Sequence, residues 1–277
     1  MTTRDDAEQY LRLLARRPDA DIEIGHAALM LASLDRPRVS LARYRRHLDE
    51  ISDAVAERAT DDDVGLDARA AILNGVIRDQ LGYDGDRLNY DDLQNANLMR
   101  VIDRRRGIPV ALGILYLHAA RGQGWPMSGI NFPGHFLLRL DAPPERLLLD
   151  PFDGEPIDGA AHLRALLKQV GGPKAELHPD HTVAASCIDV LLRLQHNIKL
   201  RCTKSGDFAR ALDATNSMLW LSPAEPLLWR DAGLLHVELD EMAGAAVAFG
   251  SYLEYATSEW QRGEAAMLLQ DARQRLN

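Results

Sequence analysis

The sequence predicts an α+β protein with a helical N-terminal part, a core built on an antiparallel sheet, and a C-terminal region of helical repeats. Three observations support this fold class. Apolar residues recur at helical spacing through the first hundred residues, strand-like segments follow one another between residues 130 and 149, and a 34-residue helical period follows residue 183. We therefore place two domains at residues 1–172 and 183–277, with a boundary near Gly171-Gly172-Pro173.

The N-terminal part is predicted to be helical because its apolar residues return at steps of three and four. One apolar stripe runs from Leu41 to Val55 and a second from Ala70 to Leu81. Residues 24–34 form a further apolar helical segment. The polar run Asp61–Gly65 lies between the two stripes and predicts a break in the helical structure.

The central region combines one helix with three strands. A helix is predicted over Val110–Arg121, with Pro109 near its first turn, where the missing N–H costs little. The strand candidates are Ile130–Phe132, His135–Leu140 and Arg146–Leu149, and the loop Asp141–Glu145 is of the hairpin type. Consecutive strands joined by short connections indicate antiparallel pairing.

The C-terminal region contains an internal repeat. A shift of 34 residues aligns Ala211 with Ala245, Ala214 with Ala248 and Leu219 with Leu253. This period is typical of tetratricopeptide helix pairs, and the second copy carries Trp229, Gly233 and Phe249 at the expected positions. We predict repeats near 192–225 and 226–259, followed by a closing helix over Glu259–Leu276.

Composition excludes several classes of protein. With 32 basic and 41 acidic residues the formal net charge is −9, which disfavours general binding to nucleic acid because the phosphate backbone requires a basic surface. The longest apolar stretch, Ile108–Leu117, is about half the roughly 20 residues that span a bilayer. The N-terminus lacks signal-peptide features, and the two cysteines fit a reducing compartment, so we expect a cytoplasmic protein that binds no membrane. No metal site or cofactor is predicted.

Two polar residues flank the predicted hairpin. His135 begins one strand and Asp150 follows the next, so antiparallel pairing brings them to the same end of the sheet. A carboxylate there can orient an imidazole and leave its second nitrogen available as a base. The alternative is a structural hydrogen-bonded pair at a sheet edge, since buried histidines are commonly paired for structural reasons.

Several motifs resemble those of the transglutaminase-like, papain-like cysteine fold, and more narrowly those of the bacterial SirB-type family, which joins such a domain to tetratricopeptide-like helices. The motifs are Asn89–Asn95, Asp103–Pro109, Phe132–Arg139, Leu149–Gly154 and Trp229–Leu234. The resemblance extends from about residue 20 to residue 260. It implies a helix packed on an antiparallel sheet, with His135 and Asp150 as the base and its orienting carboxylate.

The chain departs from active members of that fold at the nucleophile. In those enzymes a cysteine begins the central helix, whereas counting back from Gly124-Trp125-Pro126 reaches Pro109 at the corresponding place. The neighbouring Ile108 and Ala111 are not nucleophiles either. Cys187 and Cys202 lie in apolar helical sequence downstream, where a free cysteine is usually buried and inert.

Three further residues are candidates for binding. Arg105 and Arg106 lie in a run of arginines before the central helix, and an arginine fork there would suit a carboxylate or a phosphate. A solvated charge run is the alternative. Asn95 is expected to brace the Gly-Ile-Pro loop through its amide, or to be an ordinary turn or N-cap residue.

The sequence therefore favours a pseudoenzyme that binds a protein or peptide partner through its helical repeats, since stacked helix pairs form concave binding surfaces. A regulator with a purely structural role in a complex is a second hypothesis. The third is a hydrolase or acyl-transfer enzyme in which Asp150 orients His135 as a general base and Arg105 or Arg106 holds an anionic group.

Overall fold

The computed structural model describes residues 3–59 and 65–276, so most of the predicted break at Asp61–Gly65 lies outside the described residues. The chain forms two compact units. Unit 1 contains Arg17–Leu194 together with Ala7 and the residues before it, and unit 2 contains Glu8–Arg16 and the chain from Gln195 onward. The boundary drawn from the sequence at residues 172–183 falls within unit 1, because Ala184–Ala185 joins the sheet of that unit.

Helices make up most of unit 1. Their bounds are Arg4–Leu14 (α1, which continues into unit 2), Ile24–Asp35 (α2), Ala42–Arg58 (α3), Leu66–Asn74 (α4), Leu98–Arg104 (α5), Pro109–Gly122 (α6) and Gly159–Gly171 (α7). A π-helical turn, Gly75–Gln80, continues α4. Every residue from Val110 to Leu117 is buried, so α6 is surrounded by other elements, as a helix that is apolar on all sides requires.

The sheet of unit 1 is antiparallel, as predicted. Its strands are Met127–Ile130 (β3), Leu137–Ala142 (β4), Glu145–Leu149 (β5) and Ala184–Ala185 (β6), in the order β5-β4-β3-β6. A separate short parallel pair joins Asp84–Gly85 (β1) to Arg106–Gly107 (β2). Because α6 begins directly after β2, this pair places the start of α6 next to β1.

Two details of the hairpin differ from the sequence prediction. His135 precedes β4 in a turn, because Gly134 adopts a φ of 74° and the His135 N–H donates to the Phe132 carbonyl at 3.0 Å. Ala142 pairs with Glu145, so the loop consists of Pro143 and Pro144 alone. The positive φ of Gly134 and the two-residue turn at Pro143-Pro144 therefore decide where β4 begins and where it ends, which the alternation of apolar residues does not show.

Both faces of this sheet are covered. On one face Leu138 and the Phe136 ring beside the strand lie against Gly113 of α6. On the other face Leu137 packs with Leu163 and Leu167 of α7. This two-sided burial explains the near-continuous apolar sequence of β4.

Unit 2 contains the predicted helical repeat. Its helices are the second part of Cys187–Ser205 (α8), then Phe208–Leu221 (α9), Pro226–Glu238 (α10), Met242–Tyr255 (α11) and Glu259–Leu276 (α12). Ala211 and Ala245, which the 34-residue shift aligns, are both fully buried. Phe249 lies against Gly233 across the pair α10–α11, which confirms the tetratricopeptide-like arrangement.

Candidate functional site

The first turn of α6 is the place where the sequence motifs of unit 1 converge. The Ile108 N–H, directly before the helix, donates to the Asn95 carbonyl at 3.1 Å. The Asp86 N–H donates to the Gly107 carbonyl at 3.2 Å, and the Gly85 N–H donates to the Phe152 carbonyl at 3.0 Å. Segments that are distant in sequence are thus joined by main-chain hydrogen bonds around the position that Pro109 occupies.

His135 and Asp150 lie at the same end of the sheet, because Leu138 of β4 pairs with Leu149 of β5. Among the described residues, however, no hydrogen bond joins the two side chains. Asp150 instead accepts the Phe152 N–H at 2.8 Å and closes the turn after β5. Burial raises the pKa of Asp150, and His135 opposes that shift only through a longer-range electrostatic attraction. The pair is near in space but is not hydrogen-bonded as a base and its orienting carboxylate would be.

Neither thiol lies at the start of α6. Pro109 is the first residue of the helix and offers only aliphatic carbon there. Cys187 is buried, and its sulfur accepts a hydrogen bond from Arg121 Nη1 at 2.8 Å. Arg121 lies in the last turn of α6, roughly 18 Å along the helix axis from Pro109 at 1.5 Å per residue. Burial raises the pKa of Cys187 to about 11, so its sulfur is protonated at neutral pH. Cys202 belongs to unit 2 and is fully buried.

Asn95 is fully buried and links the loop after β1 to α5. Its Nδ2 donates to the Asn89 carbonyl at 2.7 Å, and its Oδ1 accepts from Arg104 Nη1 at 2.9 Å. Arg104 also binds Asp86 at 3.0 Å. Burial acts to raise the pKa of Asp86, but hydrogen bonds from the Asn89 N–H, Asn95 and Arg104 outweigh burial and lower the pKa. Asp86 is a structural residue that the sequence did not single out, and Arg104, which the sequence offers as part of a run that could bind an anion, is paired inside the protein instead.

Arg105 is held inside unit 1 by a cluster of polar side chains. Its Nη1 donates to His47 Nε2 at 2.6 Å and to the Tyr83 hydroxyl, and its guanidinium lies 4.5 Å from the centre of the Tyr83 ring. Arg105 itself has a left-handed backbone, with φ of 58°, and ends α5. Arg106 is exposed and donates to the Gly82 carbonyl at 3.1 Å. Among the described residues, no hydrogen bond or ion pair joins either arginine to His135 or Asp150.

The His47 cluster makes a pH dependence of stability predictable. Burial lowers the pKa of His47 and the adjacent Arg105 lowers it too, which together outweigh the opposing contact with Glu50 at 3.1 Å. Burial also lowers the pKa of His118. The unfolded chain therefore takes up protons first as the pH falls through about 6.5, and the free energy of unfolding decreases from pH 7 towards pH 5. Urea denaturation at both pH values should show this loss, with a smaller loss in His47→Gln than in the exposed control His162→Gln. An equal loss in both variants would contradict the assignment to His47.

An aromatic contact covers the surface next to Asp150. The Phe152 and Tyr90 rings meet edge to face, with centroids 5.8 Å apart, and the Arg87 guanidinium lies 4.9 Å from the Phe152 ring centre. Leu88 on the same loop is 94% exposed. This corner of unit 1 therefore exposes Leu88 and part of the Tyr90 side chain.

Two cavities lie away from Pro109, His135 and Asp150. One has a volume of about 560 Å³ and is lined by His26, Arg45 and His118. The other, of about 900 Å³, follows strand β5. Within the described part of the chain, no group of three or more histidine, cysteine, aspartate or glutamate side chains is placed to hold a metal ion. None of the described helices is both long and apolar enough to cross a bilayer.

Comparison with known proteins agrees with this architecture. Residues 42–196 match the transglutaminase-like superfamily, and residues 198–270 match the tetratricopeptide repeat. The chain therefore belongs to the transglutaminase-like superfamily and carries a tetratricopeptide region after that domain.

Individual relatives narrow the family further. A UPF0162 protein of Xylella fastidiosa is 30% identical over 251 residues, which cover 87% of this chain and 86% of the relative. A UPF0162 protein of Vibrio cholerae is 33% identical over 193 residues, covering 69% and 71% of the two chains. This chain is thus a member of the bacterial UPF0162 family. Human F-box only protein 21 is 43% identical over 81 residues, which is 29% of this chain and 13% of that protein.

Proposed function

We propose that this chain is a transglutaminase-like protein without acyl-transfer activity, acting in the cytoplasm as a protein-interaction or regulatory module. The observation that carries the proposal is Pro109 at the first position of α6, where thiol enzymes of this fold begin the helix with cysteine. Both cysteines lie elsewhere, and burial keeps the Cys187 thiol protonated. A covalent thioester route needs a thiolate at the site.

The binding surface we propose lies on the first helix of each repeat in unit 2. The 34-residue shift aligns α8 with α10 and α12, and it places Leu200 level with Leu234 and Leu268, which pack against the buried cluster around Phe249. A side-chain contact supports this alignment, since Arg230 and Glu264, also 34 residues apart, form an ion pair at 2.9 Å. Leu200 is 57% exposed and Leu227 at the start of α10 is 47% exposed, which leaves apolar surface for a partner. A net charge of −9 favours a protein partner over nucleic acid.

The partner-binding proposal is tested by charge substitution on this surface. The double variant Leu200→Glu, Leu227→Glu should lose partner capture by at least about tenfold, because it places two carboxylates in an apolar contact. Val247→Glu is the matched control, since Val247 is 70% exposed but lies on α11, the second helix of its pair. The measurement is quantitative affinity capture from cells of the source organism, with circular dichroism to confirm folding. Equal capture by the double variant and the wild type would contradict the proposed surface.

Hydrolase chemistry by His135 without a cysteine is the alternative function. It is favoured by the position of His135 and Asp150 at one end of the sheet, and disfavoured by the absence of a hydrogen bond between them among the described residues. Assays with amide and ester substrates should give equal rates for the wild type and His135→Ala, because we expect no reaction at this site. A rate that falls by about a hundredfold or more in His135→Ala would establish general base catalysis instead.

A further inference from the structure

Strand β5 is an edge strand, and part of its outer edge is uncovered. It pairs with β4 on one side only. On its outer side the Ile157 N–H donates to the Leu148 carbonyl at 2.8 Å, and Asp150 bonds to the Glu155 carbonyl at 2.9 Å. The segment around Pro156 therefore covers the end of the strand from the Leu148 carbonyl onward.

The outward groups that remain are the Leu148 N–H and both main-chain groups of Arg146. Main-chain groups of an antiparallel strand point alternately to each neighbour, and the Leu148 carbonyl faces outward, so the N–H and C=O of Arg146 face outward too. Among the described residues, none pairs with these two groups. A sheet edge of this kind is a template for an added strand.

The 900 Å³ cavity lies along this edge and extends onto both faces of the sheet. On one face Leu147 and Asp67 line it, beside α4. On the other face it is lined by Arg139, Arg146 and Leu148, and Leu163 and Leu177 form an apolar wall. An added strand would therefore find places for side chains on both of its sides.

The charges on the second face indicate which side chains fit. Arg139 is held by Asp141 at 3.0 Å and by the Thr182 carbonyl at 2.9 Å. Arg146 is exposed, and no described residue forms an ion pair with it. A residue of an added strand that pairs with Arg146 projects on the same face as the guanidinium, so a carboxylate is favoured there. Its neighbours along the strand project towards Leu147 and the opposite face, where aliphatic side chains fit.

We propose that the edge of β5 binds an extended peptide segment by strand addition, with an acidic residue opposite Arg146 and aliphatic residues on either side. Hydrogen bonds to the main chain of Arg146 would align the peptide with β5. The Arg146 guanidinium and the apolar wall would select the peptide's side chains. This surface belongs to unit 1 and is independent of the repeat surface in unit 2, so either proposal can hold without the other.

The test uses a fluorescein-labelled peptide of sequence Ser-Thr-Val-Glu-Val-Thr-Ser with the full-length protein, measured by fluorescence anisotropy. Binding should be saturable and several-fold weaker when lysine replaces the central glutamate. Arg146→Ala should weaken binding about two- to fivefold through loss of a surface ion pair. Arg146→Pro, which removes the outward N–H as well, should weaken it at least about tenfold. Arg164→Ala removes the same charge from an exposed site outside the cavity and should change nothing.

Amide hydrogen exchange is a second measurement, and it is made on the wild-type protein alone. In the wild-type protein the amide hydrogen of Arg146 should exchange rapidly, and the peptide should slow that exchange while leaving α6 unaffected. No binding of the glutamate peptide, equal binding of the lysine peptide, or binding without protection of the Arg146 amide would each overturn the proposal.

Discussion

Replacing Gly233 with alanine should lower the free energy of unfolding by about 2 kcal/mol, because overpacking typically costs about 1–3 kcal/mol. A Cβ at this position would lie 2.3 Å from Cε1 of Phe249. Phe249 is 1% exposed and packs with Ala245, Leu269 and Ala272, so its ring cannot move aside without disturbing that cluster. The better helix propensity of alanine, up to about 1 kcal/mol, offsets only part of the cost. Urea denaturation monitored by tryptophan fluorescence gives the change directly.

Gly250→Ala is the matched control for that experiment. Gly250 lies in α11, the partner helix of α10, and a Cβ there would meet no atom within 4 Å. Alanine should therefore stabilise unit 2 by roughly 0.5–1 kcal/mol. The two glycine variants should move in opposite directions, and a shift of the same sign in both would show that packing against Phe249 does not decide the effect.

Asn95→Ala should destabilise the protein by about 2–3 kcal/mol, since each buried polar group left unpaired costs about 1–3 kcal/mol. The substitution removes the 2.7 Å bond to the Asn89 carbonyl and the 2.9 Å bond from Arg104 at a fully buried position. The Asn89 carbonyl keeps the Asp92 N–H, and Arg104 keeps its ion pairs with Asp86 and Asp92, which limits the loss. The main-chain bond from Ile108 to residue 95 is retained, so the start of α6 should stay in place.

The control for this variant is Asn131→Ala, because Asn131 is exposed. It should change the free energy of unfolding by less than about 0.5 kcal/mol. If the two asparagine variants cost the same, the interior hydrogen bonds of Asn95 contribute nothing measurable. The comparison separates loss of a buried network from loss of any asparagine.

The buried network also explains what the longest sequence motifs do in this fold. Asp86, Asn95 and Arg104 hold the loop after β1 against the start of α6. Arg105 is likewise engaged by His47 and Tyr83. Residue types that suggest an anion site in the sequence are paired within the protein, which supports a structural role for the motif.

The helices and the repeat were predictable because their information is local. Apolar spacing predicts α3, the apolar run after Pro109 predicts α6, and a 34-residue shift predicts equivalent alanines in α9 and α11, which are both buried. The strands were predicted less accurately. His135 is predicted to begin a strand, but the left-handed Gly134 places it in the turn before β4, and alternation of apolar residues does not show that geometry.

The candidate site shows the same division between local and long-range information. Chain order and helix rules are enough to predict that Pro109 lies near the first turn of the central helix and that His135 and Asp150 flank one hairpin. Three features depend on how distant segments pack: Asp150 accepts a hydrogen bond within its own turn, Arg105 is bound to His47 58 residues away, and the outer edge of β5 at Arg146 is open. Which charged side chain finds which partner depends on packing between distant segments, and no periodicity in the sequence encodes it.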